Sequence, residues 1–360
     1  MGHKFIAENI AYHLKQDGHE VLLHDILKVQ EGLLVDVGTW IHSFINRRLP
    51  FVWRWLYFSN FVNLVGLPLR VPLAKGNSDN LYEIVKEFQP DLIISTQTTA
   101  SAATASLIQQ KKFSGKFIIA FSDYHFHKFW HYQEADFYLV NIEEQKQELI
   151  NLGVNENDIE VCGITLKPLV QIDTEALRSK FSIPSDHKVV IFGSGSLGIG
   201  FSFDLLKNYL AGLSTINTKI TTLVMCGKNE QLLKNLQAEN LVNVVPLGFY
   251  TNPSELYQMA DVLVTKPGGL TIAEAIQAKV KILITHTLPG QEEPNYSYLL
   301  HHGLVEPIPQ ILDPKHLVSS TLDVLEKEIN SETPFASQLI QRGMEGKLIK
   351  SSINKVFHIY

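Results

Sequence analysis

The sequence predicts an α/β protein of two Rossmann-like domains, each a parallel sheet covered by helices. Three observations carry this reading. Short apolar runs rich in β-branched and aromatic residues alternate with segments of 3.6-residue periodicity along most of the chain. The runs fall into two series of about five, parted near Pro168 where the periodicity lapses. The chain is also long enough, at 360 residues, for two cores of ordinary size.

In the first series strands are expected at Glu20–His24, Asp91–Thr96, Lys116–Phe121, Phe137–Val140 and Ile159–Gly163. The second series runs Lys188–Phe192, Thr221–Cys226, Asn243–Leu247, Asp261–Thr265 and Lys281–Thr285. Helical periodicity fills Glu143–Leu152, Phe203–Leu213, Glu230–Glu239 and Thr271–Ala278. Residues 1–165 and 170–335 are read as the two domains, with Ile164–Asp173 as linker. Residues 336–360 are read as a helical tail packing back on the first domain. A domain of this class opens on a buried strand that feeds a glycine turn. Here Met1-Gly2-His3 leads straight into a helical pattern of Ile6, Ile10 and Leu14, so the first strand is read as missing and a start further upstream is expected.

Composition excludes several classes. A hydrophobic share of 45% against 19% charged belongs to a folded chain, not a disordered one. A formal net charge of −6 argues against nucleic acid as partner. Two cysteines, Cys162 and Cys226, build neither a disulfide framework nor a zinc site and suit a reducing compartment. Apolar stretches break before the roughly 20 residues of a spanning helix, and no signal peptide is seen. The expected place is the cytoplasm, peripheral on the inner face of the cell membrane.

The richest stretch is Gly248-Phe249-Tyr250 and then Thr265-Lys266-Pro267-Gly268-Gly269-Leu270-Thr271-Ile272-Ala273-Glu274. The glycine pair turns the chain from strand to helix and leaves free N–H groups at the helix start, an anion site suited to a diphosphate. Glu274, a turn further in, is placed to take both hydroxyls of a ribose. An ordinary tight turn with a solvated glutamate is the competing reading. Downstream, Pro289-Gly290-Gln291-Glu292-Glu293-Pro294-Asn295 follows the next strand. There Gln291 and Glu292 either bracket sugar hydroxyls or are merely a polar loop. Gly193-Ser194-Gly195-Ser196-Leu197-Gly198 matches the dinucleotide fingerprint but lacks the acid about 20 residues on. It is read instead as an interface loop in which Ser196 meets a donor phosphate or the acceptor.

Val37–Lys75 combines Trp40, Phe44, Phe51, Trp53, Trp55, Tyr57, Phe58 and Phe61 with Arg47, Arg48, Arg54, Arg70 and Lys75, and has no acidic residue after Asp36 until Asp79. Rings for the headgroup level and cations for anionic lipid are what an interfacial segment needs. A buried helical pair is the alternative. Asp123, His125, His127 and His131 suggest a metal cluster, but no cysteine or further carboxylate lies near in sequence to complete it, and no metal is expected.

Taken together, KPGGLTIAEA and PGQEEPN resemble the monogalactosyldiacylglycerol synthases and the bacterial processive diacylglycerol glucosyltransferases. These are relatives of the enzyme that glycosylates the lipid precursor of peptidoglycan. The resemblance extends through Gly2-His3-Lys4, Ser122-Asp123-Tyr124-His125 with Trp130, and Gly163-Ile164, with Thr165 where proline is usual. It implies a GT-B fold, with sheets facing across a cleft, an N-terminal acceptor domain and a C-terminal donor domain. It implies an inverting, metal-independent transfer of a hexose from UDP-glucose or UDP-galactose to diacylglycerol, with no cofactor beyond the co-substrate. His3 is then the candidate base. Gly2, Asp123, His125 and Trp130 lie on the acceptor side, while Ser196, Gly248, Phe249, Lys266, Gly268, Gly269, Leu270, Thr271, Glu274, Gln291 and Glu292 hold the donor. Arg47, Arg48, Trp53, Arg54 and Trp55 meet anionic membrane lipid. The rivals are another lipid acceptor such as a polyprenyl-diphosphate saccharide, a non-catalytic nucleotide-sugar-binding paralogue, and a UDP-N-acetylglucosamine epimerase.

Overall fold

In the computed structural model, residues 2–26, 50–193, 195, 201–216, 219–290, 292–308, 313–327, 342 and 346–358 are described. They form two compact units. One comprises Met1–Lys167 with Pro289–Pro294 and Gln341–Tyr360, the other Pro168–Leu288 with Asn295–Ile340.

The first unit is built on four parallel strands in the order β1-β2-β3-β4: Leu92–Ser95, Lys116–Ala120, Phe137–Val140 and Ile159–Val161. All four residues of β3 and four of the five in β2 are buried, the unbroken apolar run of a strand covered on both faces. Phe117, Ile119, Tyr138, Val140 and Leu149 share one core with Trp130 and Tyr132. Helix α1 (Gly2–Gln16) buries Ile6, Ile10 and Leu14, one turn apart, as its periodicity dictates. Its polar side is tied to the end of the unit: Asn9 Nδ2 donates to the Thr165 carbonyl at 2.9 Å, and His13 Nε2 meets the Leu166 carbonyl at 2.7 Å. Helices α2 (Pro50–Phe58) and α3 (Asn60–Leu73) follow. At the other end of the chain, helix Lys347–Val356 joins this unit through Lys350–Asp17 at 3.2 Å and Lys355–Glu160 at 2.6 Å.

The second unit is a five-stranded parallel sheet in the order β7-β6-β5-β8-β9. Its strands are β5 Lys188–Gly193, β6 Ile220–Met225, β7 Val244–Leu247, β8 Val262–Thr265 and β9 Lys281–Ile284. The chain runs outward from β5 through β6 to β7, then crosses back to β8. That reversal between β5 and β8 opens a crevice at their carboxyl ends, where doubly wound sheets bind ligands. Register makes those ends flush: Gly193 pairs with Met225 and with Thr265, and Thr265 with Ile284.

One expectation fails. Glu20–His24 forms no strand; residues 20–25 carry no regular structure, and Leu22 and Leu23 are about half exposed. Strand propensity needs a neighbour to supply ladder hydrogen bonds, and no described strand lies beside this segment.

Candidate functional site

In the second unit the site is built largely from backbone. After β8 the chain passes Lys266 and Pro267 to Gly268, where helix α4 (Gly269–Gln277) begins with no side chain capping its first turn. The first N–H groups of that helix, including those of Gly269, Leu270 and Thr271, point outward from a helix N-terminus, a natural place for an anion. Gly195, after β5, has φ +75°, and a Cβ there would sit 3.1 Å from Lys266 Cε. The backbone of the β5 loop thus runs against the Lys266 side chain. Asn295, fully buried, donates from Nδ2 to the Pro267 carbonyl at 3.2 Å and holds the turn from behind.

Glu274 lies half-buried on the second turn of α4. Among the described residues no hydrogen bond or ion pair holds its carboxylate, and desolvation pushes its pKa up to about 8. Phe249, just past β7, is 43% exposed, with the Lys228 ammonium 5.8 Å from its ring, and Gly248 precedes it without steric demand. Ser196 and Gln291 lie outside the described residues.

The first unit builds its cluster from side chains. His3, on the first turn of α1, accepts at its carbonyl from the Thr96 hydroxyl, 2.9 Å away at the end of β1. Its Nδ1 is buried and, among the described residues, without a partner, and desolvation lowers its pKa against the opposing pull of the Asp123 carboxylate. The imidazole is therefore neutral at pH 7, the form a general base requires. The Trp130 ring stands 6.3 Å from His3 and is itself buried against Phe121. Gly2 is exposed within α1, where an added Cβ meets nothing, so space does not demand glycine there.

The loop carrying Asp123 and His125 follows β2 and is clamped by two buried amides. Asn141 Nδ2 and Gln145 Nε2 donate to the Asp123 carbonyl at 2.8 and 2.7 Å; Gln145 also donates to the His125 carbonyl at 2.8 Å. Gln145 in turn accepts from the Asn141 N–H at 2.7 Å. The second clamp is Tyr57 of α2. Its hydroxyl lies 2.5 Å from His125 Nε2, and its carbonyl accepts from His127 Nε2 at 3.1 Å. Both imidazoles are thereby engaged with protein, and no described group of three His, Cys, Asp or Glu residues is arranged to hold a metal. Sequence reasoning missed Tyr57, Asn141, Gln145 and Thr96. An asparagine at a strand end with glutamine four residues on was the available signal for the first amide pair; nothing in the sequence marked Tyr57.

The aromatic-basic segment divides by face. On α2, Phe51, Trp55 and Phe58 recur every three or four residues and are exposed, Phe51 at 79% and Trp55 at 62%. Tyr57 turns inward, and Trp53 is only partly exposed, 6.4 Å from the Tyr57 ring. Two arginines are not free cations. Arg54 pairs with Glu293 at 2.8 Å, and Arg70 donates to the carbonyls of Lys128 and His131 with its guanidinium 3.7 Å over the Tyr132 ring. The segment lacks acid in sequence, but folding brings Glu293 to it. Gly290 (φ +84°) lets the same loop pass against Tyr57, where a Cβ would sit 3.1 Å from its side chain. Glu292, predicted to face a sugar, is buried in the first turn of helix Glu292–His301. Arg47 and Arg48 lie outside the described residues. No described helix is long and apolar enough to cross a membrane.

The monogalactosyldiacylglycerol (MGDG) synthase family matches residues 3–166. The processive diacylglycerol β-glucosyltransferase of Bacillus pumilus is 26% identical over 316 residues, 84% of this chain and 79% of that one. Among solved structures, the calicheamicin glycosyltransferase CalG4 superposes with a TM-score of 0.63 at 12% identity, covering 99% of this chain and 96% of that one. MnaA of S. aureus, solved with UDP, gives 0.55 at 11% identity over 80% of each chain. With its two parallel-sheet units, the chain is a glycosyltransferase of the GT-B fold class. Within that class it is a relative of the diacylglycerol glycosyltransferases.

Proposed function

We propose that the chain transfers a hexose from a UDP-sugar to the hydroxyl of diacylglycerol at a membrane surface, with inversion and without a metal ion. The observation that carries the reading is Glu274: a half-buried carboxylate without a described partner, one turn into an uncapped helix at the carboxyl edge of a doubly wound sheet. Ribose hydroxyls donate to this group as it gives up its proton, and helix N–H groups offset the charge of a diphosphate leaving group. The names of the relatives, which act on diacylglycerol, support the acceptor. His3 would take the acceptor proton, with Asp123 stabilising the imidazolium as it forms.

The test is turnover of UDP-glucose and UDP-galactose with diacylglycerol in mixed vesicles, with and without EDTA. A glycolipid product in EDTA is expected. UDP binding without any lipid product would make the chain a nucleotide-sugar binder, and restoration only by Mg²⁺ or Mn²⁺ would overturn the metal-free mechanism.

A further inference from the structure

Beyond Glu274 and the glycine turn, the second unit holds a histidine to which no role has been assigned. His286 follows β9 by two residues, at the edge where the loops after β5 and β8 also emerge. Its protonation follows from counting hydrogens. The Thr285 hydroxyl has one proton and donates it to the Thr265 carbonyl at 3.2 Å. The same oxygen lies 3.0 Å from His286 Nδ1, so there it accepts and Nδ1 carries the hydrogen. Nε2 is left as a bare lone pair, buried and, among the described residues, without a partner. The Phe201 ring meets the imidazole edge-on at 4.7 Å and fixes its plane. Desolvation first, and the nearby Lys266 charge second, push its pKa down to about 4, so the ring stays neutral.

A buried acceptor without a donor costs free energy until a ligand supplies the proton. Phosphate oxygens supply none and would repel the lone pair; a sugar hydroxyl supplies one. Lys266 leaves β8 just before the phosphate-suited helix start, and His286 leaves the neighbouring β9, where Thr265 pairs with Ile284, so a hexose linked to a diphosphate at that helix start would be offered to the same strand-end edge. We propose that His286 Nε2 accepts a hydrogen bond from a hydroxyl of the donor hexose and helps decide which sugar is taken. This rests on the donor reading given under Proposed function.

The test is calorimetry of UDP, UDP-glucose, UDP-galactose and their monodeoxy analogues with wild type and His286→Phe, which keeps a ring against Phe201. UDP affinity should agree within about twofold, while the preferred UDP-hexose should weaken roughly 5–10-fold, the worth of one net hydrogen bond. One monodeoxy analogue should show the same loss with wild type and no further loss with the variant. Equal UDP-hexose affinity in the two proteins, or a deoxy penalty that survives in His286→Phe, overturns the assignment. A wild type that binds neither UDP nor a UDP-hexose overturns the donor reading and this with it. Should the variant not fold, ¹⁵N spectra of wild-type histidines decide. Nε2 should be unprotonated in the free protein and shift with UDP-hexose but not with UDP. A protonated Nε2, or no difference between the two ligands, overturns the proposal.

Discussion

The two units solve the problem of placing chemistry at a sheet edge in different ways. In the second, three strand ends are flush, and the turn after β8 presents backbone N–H groups with one lone carboxylate behind them. In the first, the loop after β2 is held by amides from beyond β3 and by a tyrosine from a helix some 70 residues earlier. The difference is one of range. A backbone site is written in contiguous residues, whereas a clamped loop is assembled by contacts that no local pattern announces.

If the first cluster does chemistry, its centre is where change costs most. His3→Ala is expected to lower kcat by about 10²–10⁴ while leaving UDP affinity intact, the scale of losing a positioned general base. A loss below tenfold would move that role elsewhere, with Asp123 next in line.

The clamp should be felt as stability and as rate. Gln145→Leu removes the donor to the His125 carbonyl and the acceptor of the Asn141 N–H, and leaves the Asp123 carbonyl with the Asn141 amide but not that of Gln145. A destabilisation of about 2–3 kcal/mol in urea is expected, with kcat falling more than KM for UDP-sugar changes. An unchanged denaturation midpoint would mean that the loop finds other partners and that the contrast between the units is superficial.

That contrast also explains what was legible. Each of the nine described strands overlaps a segment read as strand, because buried parallel strands are short apolar runs bounded by turns. The glycine turn and Glu274 were legible for the same reason: spacing along one helix fixes their geometry. Glu20–His24 misled because propensity is local and pairing is not. Tyr57, half-buried against His125 and His127, sat in a segment whose aromatics all looked alike. Only folding separated its inward face from the outward one, and only folding brought Glu293 to Arg54.

On the donor side the effect is smaller and carries a sign in pH. If Glu274 accepts from the ribose hydroxyls, Glu274→Gln should weaken UDP binding by about 1–3 kcal/mol. Without ligand the same change should stabilise. The folded chain holds the Glu274 proton up to about pH 8, whereas the unfolded chain releases it near its ordinary 4.5. Stability is therefore full below about 4.5 and is lost as pH rises through about 8. Thermal melts of the variant and the wild type should converge in acid and separate at pH 9, with the variant higher. A gap that is constant with pH would mean that Glu274 is ionised throughout.

The smallest effect concerns the outward face of α2. Phe51, Trp55 and Phe58 present rings to solvent, while the Arg54 between them is already paired with Glu293. If this face enters a bilayer interface, apolar insertion should matter more than charge at this helix. Trp55→Ala with Phe51→Ala should weaken vesicle binding by about 1–2 kcal/mol per ring and should do so equally in low and high salt. Arg54→Gln should change binding little, because a cation already paired adds less attraction to anionic lipid than a free one. Co-sedimentation with vesicles that contain or lack anionic lipid separates these terms. Were the ring variants to sediment like the wild type while salt alone released the protein, charge outside α2 would hold the membrane and this face would not be the contact.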